Sequence, residues 1–148
     1  MPAERRSGTR PGTKRETGSR VGNDLFVEHR DLNAILAEVR ASFHDRHAAA
    51  GTLERLAGAF DVHFEQEDRL YYPAIGSLRP ELKERLRAIS DGHDGFRARL
   101  EDVRSLLDGG ELSAARQSFE SLARAFEEHE AAEEQLLTAL DRELDASP

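Results

Sequence analysis

Two stretches of the chain set a histidine four residues before a glutamate in otherwise apolar helical surroundings. The first, FDVHFEQEDRL, places His63 and Glu67 between Phe60 and Leu70. The second, FEEHEAAEEQL, places His129 and Glu133 between Phe126 and Leu136. Residues three and four apart share one stripe of a helix, so each pair is expected on the same side as its apolar neighbours. Buried polar groups need partners, and a metal ion is a partner for both types at once. Imidazole and carboxylate, in a chain with no cysteine, suit iron, manganese or zinc.

Two further histidines occupy apolar stripes of the same kind. Leu25, His29, Leu32, Leu36, Val39 and Phe43 define a first helix. Asn23 or Asp24 is its expected N-cap, with Glu28 favourable at the positive end of the dipole, and its end is expected among residues 48–51. A second helix starts near Thr52, carries Leu53, Leu56, Phe60, His63, Glu67 and Leu70, and closes at Tyr71, Tyr72 and Pro73. Residues 76–80 form the connection, and Pro80 suits the first turn of the third helix. That helix carries Leu82, Leu86, Ile89, His93, Phe96, Leu100, Val103 and Leu107. Gly92 and Gly95 flank His93, which is consistent either with a kink or with close backbone approach. After Gly109-Gly110, a fourth helix over residues 111–144 carries Leu112, Ala115, Phe119, Leu122, Phe126, His129, Glu133, Leu136 and Leu140.

Four helices with short connections imply an all-α, antiparallel up-down four-helix bundle. Counting from the turns at about 1.5 Å of rise per residue puts the six polar stripe residues within a few turns of one level. The repeated order, one histidine and then Phe-x-x-His-x-x-x-Glu, predicts two pseudo-equivalent metal positions. Each would draw histidines from facing helices, with Glu67 and Glu133 placed to bridge. His44 and His47 read as solvated, and Asp45, Glu65 and Glu130 as members of an exposed face. Tyr71 suits either a hydrogen bond to a ligand or packing at a helix end.

The composition bounds the rest. A chain of 148 residues is expected to form one domain. No apolar run approaches a membrane span and no secretory segment is present, so no membrane partner and a cytoplasmic setting are expected. Arg5, Arg6, Arg10, Lys14, Arg15 and Arg20 stand against Glu4 and Glu16 in residues 1–22, so the acidic excess behind the net charge of −8 belongs to the remainder. An acidic body argues against nucleic acid as a partner. The Arg/Gly/Thr/Ser/Pro-rich residues 1–22 read as a disordered basic tail, and residues 23–148 as the bundle.

The set His29, His63-x-x-x-Glu67, His93 and His129-x-x-x-Glu133 resembles the hemerythrin-like (HHE cation-binding) family over about residues 23–144. The resemblance implies a non-haem centre of two Fe ions, bridged by carboxylates and an oxo or hydroxo species, with manganese or zinc as alternatives. The Glu-x-x-His motif of ferritin-like bundles is absent: Phe26, Phe60, Ser90 and Phe126 stand three residues before the four histidines. Oxygen-carrying members have His-x-x-x-His on the third helix, where this chain has Arg97, and His-x-x-x-x-Asp on the fourth, where Glu133 sits at the shorter spacing and Glu134 at the longer. The pattern is similar to the His/HxxxE/His/HxxxE subgroup, associated with peroxide, nitric oxide or iron chemistry. The resemblance therefore implies a catalase-like or ferroxidase-like centre for H2O2 or O2. The alternative it leaves is a non-catalytic module that binds O2 or NO or senses iron. The metal centre itself would carry any catalysis.

Overall fold

The computed structural model describes the backbone of residues 14–146 and the side chains of residues 22–140. Among the described residues the regular elements are all helical: α1 (Lys14–Ser42), α2 (Arg46–Gln66), α3 (Tyr72–Leu78), α4 (Lys83–Asp91), α5 (His93–Asp108) and α6 (Leu112–Ala146). A π turn (Glu67–Tyr71) joins α2 to α3, and a 3-10 turn (Pro80–Leu82) leads into α4. The chain thus forms four rods: α1, α2–α3, α4–α5 and α6. α1 packs on α2, α2 on α5, α5 on α6 and α6 on α1. That cyclic order, with short connections, is the expected up-down four-helix bundle.

Several helix boundaries differ from expectation. α1 runs through Asn23 and Asp24, so neither caps it; residues 1–13 of the expected tail lie outside the described residues. The first connection comes earlier than residues 48–51. α1 ends at Ser42, and Asp45 caps α2 by accepting a hydrogen bond from the His47 backbone N–H at 3.1 Å. Gly51 and Thr52, which suggested a stop and a start, sit inside α2. Tyr71-Tyr72-Pro73 does not end the second rod either, because α3 continues to Leu78.

The π turn changes which residues face inward. The Tyr72 backbone N–H bonds to the Glu67 carbonyl, five residues back. Pro73 gives a local reason: it has no N–H to offer, and its ring crowds the carbonyl four residues earlier. The wider turn corrects the expected stripe. Leu70 is turned out, 61 % exposed, while Tyr71 is half-buried and Tyr72 buried.

The third rod breaks at Gly92, between α4 and α5. A Cβ at Gly92 would meet only the Ile89 carbonyl, at 3.2 Å, and one at Gly95 would meet nothing within 4 Å. The glycines therefore mark a local interruption of the helix, and no backbone of another rod approaches either one.

The apolar core divides into two clusters. One contains Leu32, Leu36, Phe60, Phe64, Phe96, Leu100 and Phe126 among others; the second contains Leu25, Tyr72, Ile75, Leu86, Leu136 and Leu140. His29, Glu67, His93, His129 and Glu133 lie between them along the rods, and His63 sits between Phe60 and Phe64 at the edge of the first. A polar layer crosses the bundle at one level.

Candidate metal centre

Each rod brings its own part of this layer. α1 contributes His29; α2 and the start of the π turn contribute His63 and Glu67; the first residue of α5 is His93; α6 contributes His129 and Glu133. All six, the residues expected from the sequence, come together in two abutting clusters. His29, His63 and Glu133 form one, and Glu67, His93 and His129 the other, with ligand-type atoms within 4.8 Å of one another in each.

The glutamates span the clusters. Glu67 Oε1 lies 3.0 Å from His63 Nε2, 3.4 Å from His93 Nε2 and 3.9 Å from His129 Nε2. Glu133 Oε2 lies 3.4 Å from His29 Nε2, and its Oε1 lies 2.6 Å from His129 Nε2. Glu67 is 0 % exposed and Glu133 2 %. Of the neighbours on α6, Glu134 has a side chain 44 % exposed and approaches only the outer nitrogen of His29, at 3.7 Å.

Groups outside the layer hold the rings. Glu28 Oε2 accepts from His63 Nδ1 at 2.8 Å and Glu28 Oε1 from the Tyr71 hydroxyl at 3.0 Å. Asp68 Oδ2 lies 3.2 Å from His93 Nδ1, and Asp68 Oδ1 accepts from the Ser90 hydroxyl at 2.6 Å. Ionised carboxylates only accept, so these contacts put the proton on Nδ1 and leave the Nε2 lone pair facing the centre. His29 Nδ1 lies 3.5 Å from Glu130 Oε2, which also accepts from Asn33 at 3.3 Å. Glu130 is buried, not on an exposed face as its sequence position suggested. Tyr72 donates to Glu67 Oε2 at 2.6 Å.

Phenylalanines close the layer on the α2–α5–α6 side. Phe64 stacks on His93 at 4.1 Å between ring centroids, Phe96 meets His129 edge-on at 5.2 Å, and Phe60, Phe64, Phe96 and Phe126 pack against one another. Arg97, four residues after His93, pairs with Asp61 and Asp94 at 3.1 and 2.9 Å and covers the Phe64 ring, so this position brings no ligand. His44 and His47 are exposed.

Burial and charge oppose one another here. Burial raises the Glu67 carboxyl, but the buried groups bonded around it, the His129, His63 and His93 rings among them, outweigh burial and hold that carboxyl far below the usual carboxylate range. Burial lowers His129, yet Glu133 and Glu67 bring it up to about 9; His29 and His63 are raised against the same opposition. Burial pushes Glu130 up to about 7, and burial with the charges of Glu133 and Glu67 keeps Tyr72 protonated.

The donor set fits a metal. Both nitrogens of His29, Nε2 of His63, His93 and His129, Oε1 of Glu67 and both oxygens of Glu133 are buried without a hydrogen-bond partner. Only Arg104 Nε shares that condition among the described residues. A neutral Nε2 and a carboxylate oxygen are both acceptors, so something positive must lie between them. A metal ion supplies that positive charge to both kinds of acceptor at once, displacing any proton held there.

A helical bundle whose polar layer consists of imidazoles and carboxylates is a metal-binding protein. The chain belongs to the hemerythrin HHE cation-binding domain family, whose sequence model matches residues 22–140. No curated protein and no solved structure gave a match. None of the described helices is long and apolar enough to cross a membrane.

The residues missed from the sequence are Glu28, Asp68, Glu130, Tyr72 and Phe64. Asp68 and Phe64 carried a usable signal, since each is the immediate neighbour of a stripe residue. Glu28 and Glu130 flank His29 and His129 in the same way, but their partners lie on other rods.

Proposed function

We propose that this domain holds two iron ions and reacts with peroxide or dioxygen, in a catalase-like or ferroxidase-like manner. His29, His63, His93 and His129 would be terminal ligands, and Glu67 and Glu133 would bridge. One observation carries the reading: every one of these six residues offers a buried atom without a hydrogen-bond partner to the same layer. Bound there, iron would supply one- and two-electron chemistry toward a small oxidant. The chain's own contribution is positional. Glu28 and Asp68 keep the Nε2 lone pairs of His63 and His93 aimed inward. The phenylalanines exclude water, and the absence of a ligand at Arg97 leaves donor positions for a small molecule. The bundle from about residue 23 onward is the unit to which the activity is assigned.

Metal analysis and optical spectra of iron-loaded protein, before and after peroxide, test this. The expected result is about two irons per chain, as a two-metal centre requires, with spectral change and peroxide consumption. Protein carrying no iron after loading overturns it.

A second reading has its own support. The polar layer separates the two apolar clusters, so metal uptake and folding are coupled, as an iron sensor needs. Iron-dependent folding without peroxide turnover, or stable reversible O2 or NO spectra, would favour sensing or gas binding over catalysis.

A further inference from the structure

The four histidines of the layer fall into two pairs. The His29 and His63 rings meet edge-on with centroids 5.6 Å apart, and the His93 and His129 rings do the same at 5.2 Å. The glutamates between the pairs do not tell them apart. Glu67 Oε1 lies 3.0 Å from His63 Nε2 and 3.4 Å from His93 Nε2, while Glu133 reaches His29 and His129 at 3.4 and 2.6 Å. A difference between the two metal positions therefore has to come from what stands behind the rings.

There the pairs part company. Glu28 accepts from His63 Nδ1 at 2.8 Å, and His29 Nδ1 has Glu130 at 3.5 Å and Glu134 at 3.7 Å. The last two distances are too long for good hydrogen bonds, so these carboxylates act on His29 through their charge. Three carboxylates thus back the first pair. Asp68 alone backs the second, 3.2 Å from His93 Nδ1 and shared with the Ser90 hydroxyl. His129 is packed by the Phe96 and Phe126 rings, and the carboxylates near it among the described residues are Glu67 and Glu133, both at Nε2. A carboxylate behind an imidazole fixes its tautomer and makes it a more basic ligand. Negative charge near a buried cation also attracts it more strongly than the same charge would in water. We propose that the two positions are unequal: the one formed by His29 and His63 fills first and holds its ion more tightly, and the one formed by His93 and His129 releases its ion first. The proposal rests on the metal-centre reading above, and it holds with both glutamates bridging. The repeated His-x-x-x-Glu spacing hides the inequality, because the carboxylates behind His29 and His63 come from other rods or from the far side of the same turn.

The test titrates the metal-free full chain with zinc, which needs no oxidant, above the pH of about 7 to which burial raises Glu130. Chelator competition should resolve two steps separated about 10- to 100-fold, the usual weight of an outer partner. With one equivalent of zinc, nitrogen NMR of 15N-labelled histidine should show the His29 and His63 ring signals shifted and those of His93 and His129 as in the metal-free protein. Glu28→Gln should weaken the tight step, and Asp68→Asn the weak step alone. Two equal steps, or first shifts at His93 and His129, overturn the proposal. If either variant does not fold, a crystal structure of wild type with one equivalent of zinc decides. Zinc beside His29 and His63 supports the proposal, and zinc beside His93 and His129, or shared evenly, overturns it. Wild type that takes up no zinc would sink the metal-centre reading as well, whereas even filling of both positions defeats this proposal alone.

Discussion

Glu133 and Glu134 are adjacent in the chain and face different surroundings. One is buried between His29 and His129; the second is half-exposed and reaches only the outer nitrogen of His29. Glu133→Ala should therefore abolish binding at one metal position or both, while Glu134→Ala leaves metal content unchanged. Elemental analysis of purified, iron-loaded variants measures this directly. The outer carboxylates should act less drastically: Glu28→Gln or Asp68→Asn is expected to weaken metal affinity about 10- to 100-fold, because each fixes the tautomer of one ligand ring. Protonation adds a signed expectation. In the metal-free protein His129 keeps its proton up to about 9, against an ordinary value of 6.5. A raised folded-state pKa stabilises fully below 6.5, and that stabilisation is lost as pH rises through 9. The thermal midpoint of metal-free protein should then decline across this window, with His29 and His63 shifted in the same direction. Metal affinity should rise over the same range, since the ligand nitrogens must shed protons to bind. A metal-free midpoint that climbs from pH 6.5 to 9 would refute the assignment.

The helices carry the residues to their places through ordinary local chemistry, with two interruptions close to the layer. Asp45 supplies the α2 cap, and its replacement by alanine should cost about 1 kcal/mol in a denaturant titration. Gly95 lies in the first turn of α5 with open space where a Cβ would go. Gly95→Ala is expected to stabilise the fold by about 0.5–1 kcal/mol. Gly92→Ala should gain less or destabilise, since its Cβ would press on the Ile89 carbonyl. Equal gains at both sites would argue against a real difference between them. The π turn is the second interruption. It begins at Glu67 itself, and without it the spacing that puts Phe60, His63 and Glu67 inside would have put Leu70 inside as well.

At the scale of the whole bundle, the polar layer is a weakness that a metal converts into a joint. Six buried imidazoles and carboxylates separate two apolar clusters, and unpaired burial of such groups is costly. Metal removal should lower the thermal midpoint and loosen the layer before the clusters. Hydrogen exchange followed by mass spectrometry should show faster exchange in α2 around His63 and α6 around His129 than in α2 around Leu53. Uniform exchange in both forms would contradict the coupling.

How much of this is readable without coordinates follows from what each feature depends on. The four rods, their apolar stripes and the six polar residues at one level were legible, because helical periodicity is a property of neighbouring residues and the rise per residue is constant. The paired His-x-x-x-Glu spacing also anticipated that the side chains gather in two clusters. The sequence signal failed where one rod answers to another. Glu130 looks like any exposed acid until α6 is rotated against α1, and Glu28 looks like a dipole partner until α2 lies beside it. Leu70 fits an apolar stripe until the turn before Pro73 widens. Hence the chain alone determined which residues form the layer. Only the tertiary structure decided which oxygen faces which ring, and which carboxylates stand behind which histidines, because those relations are set by the rotation and register of packed helices.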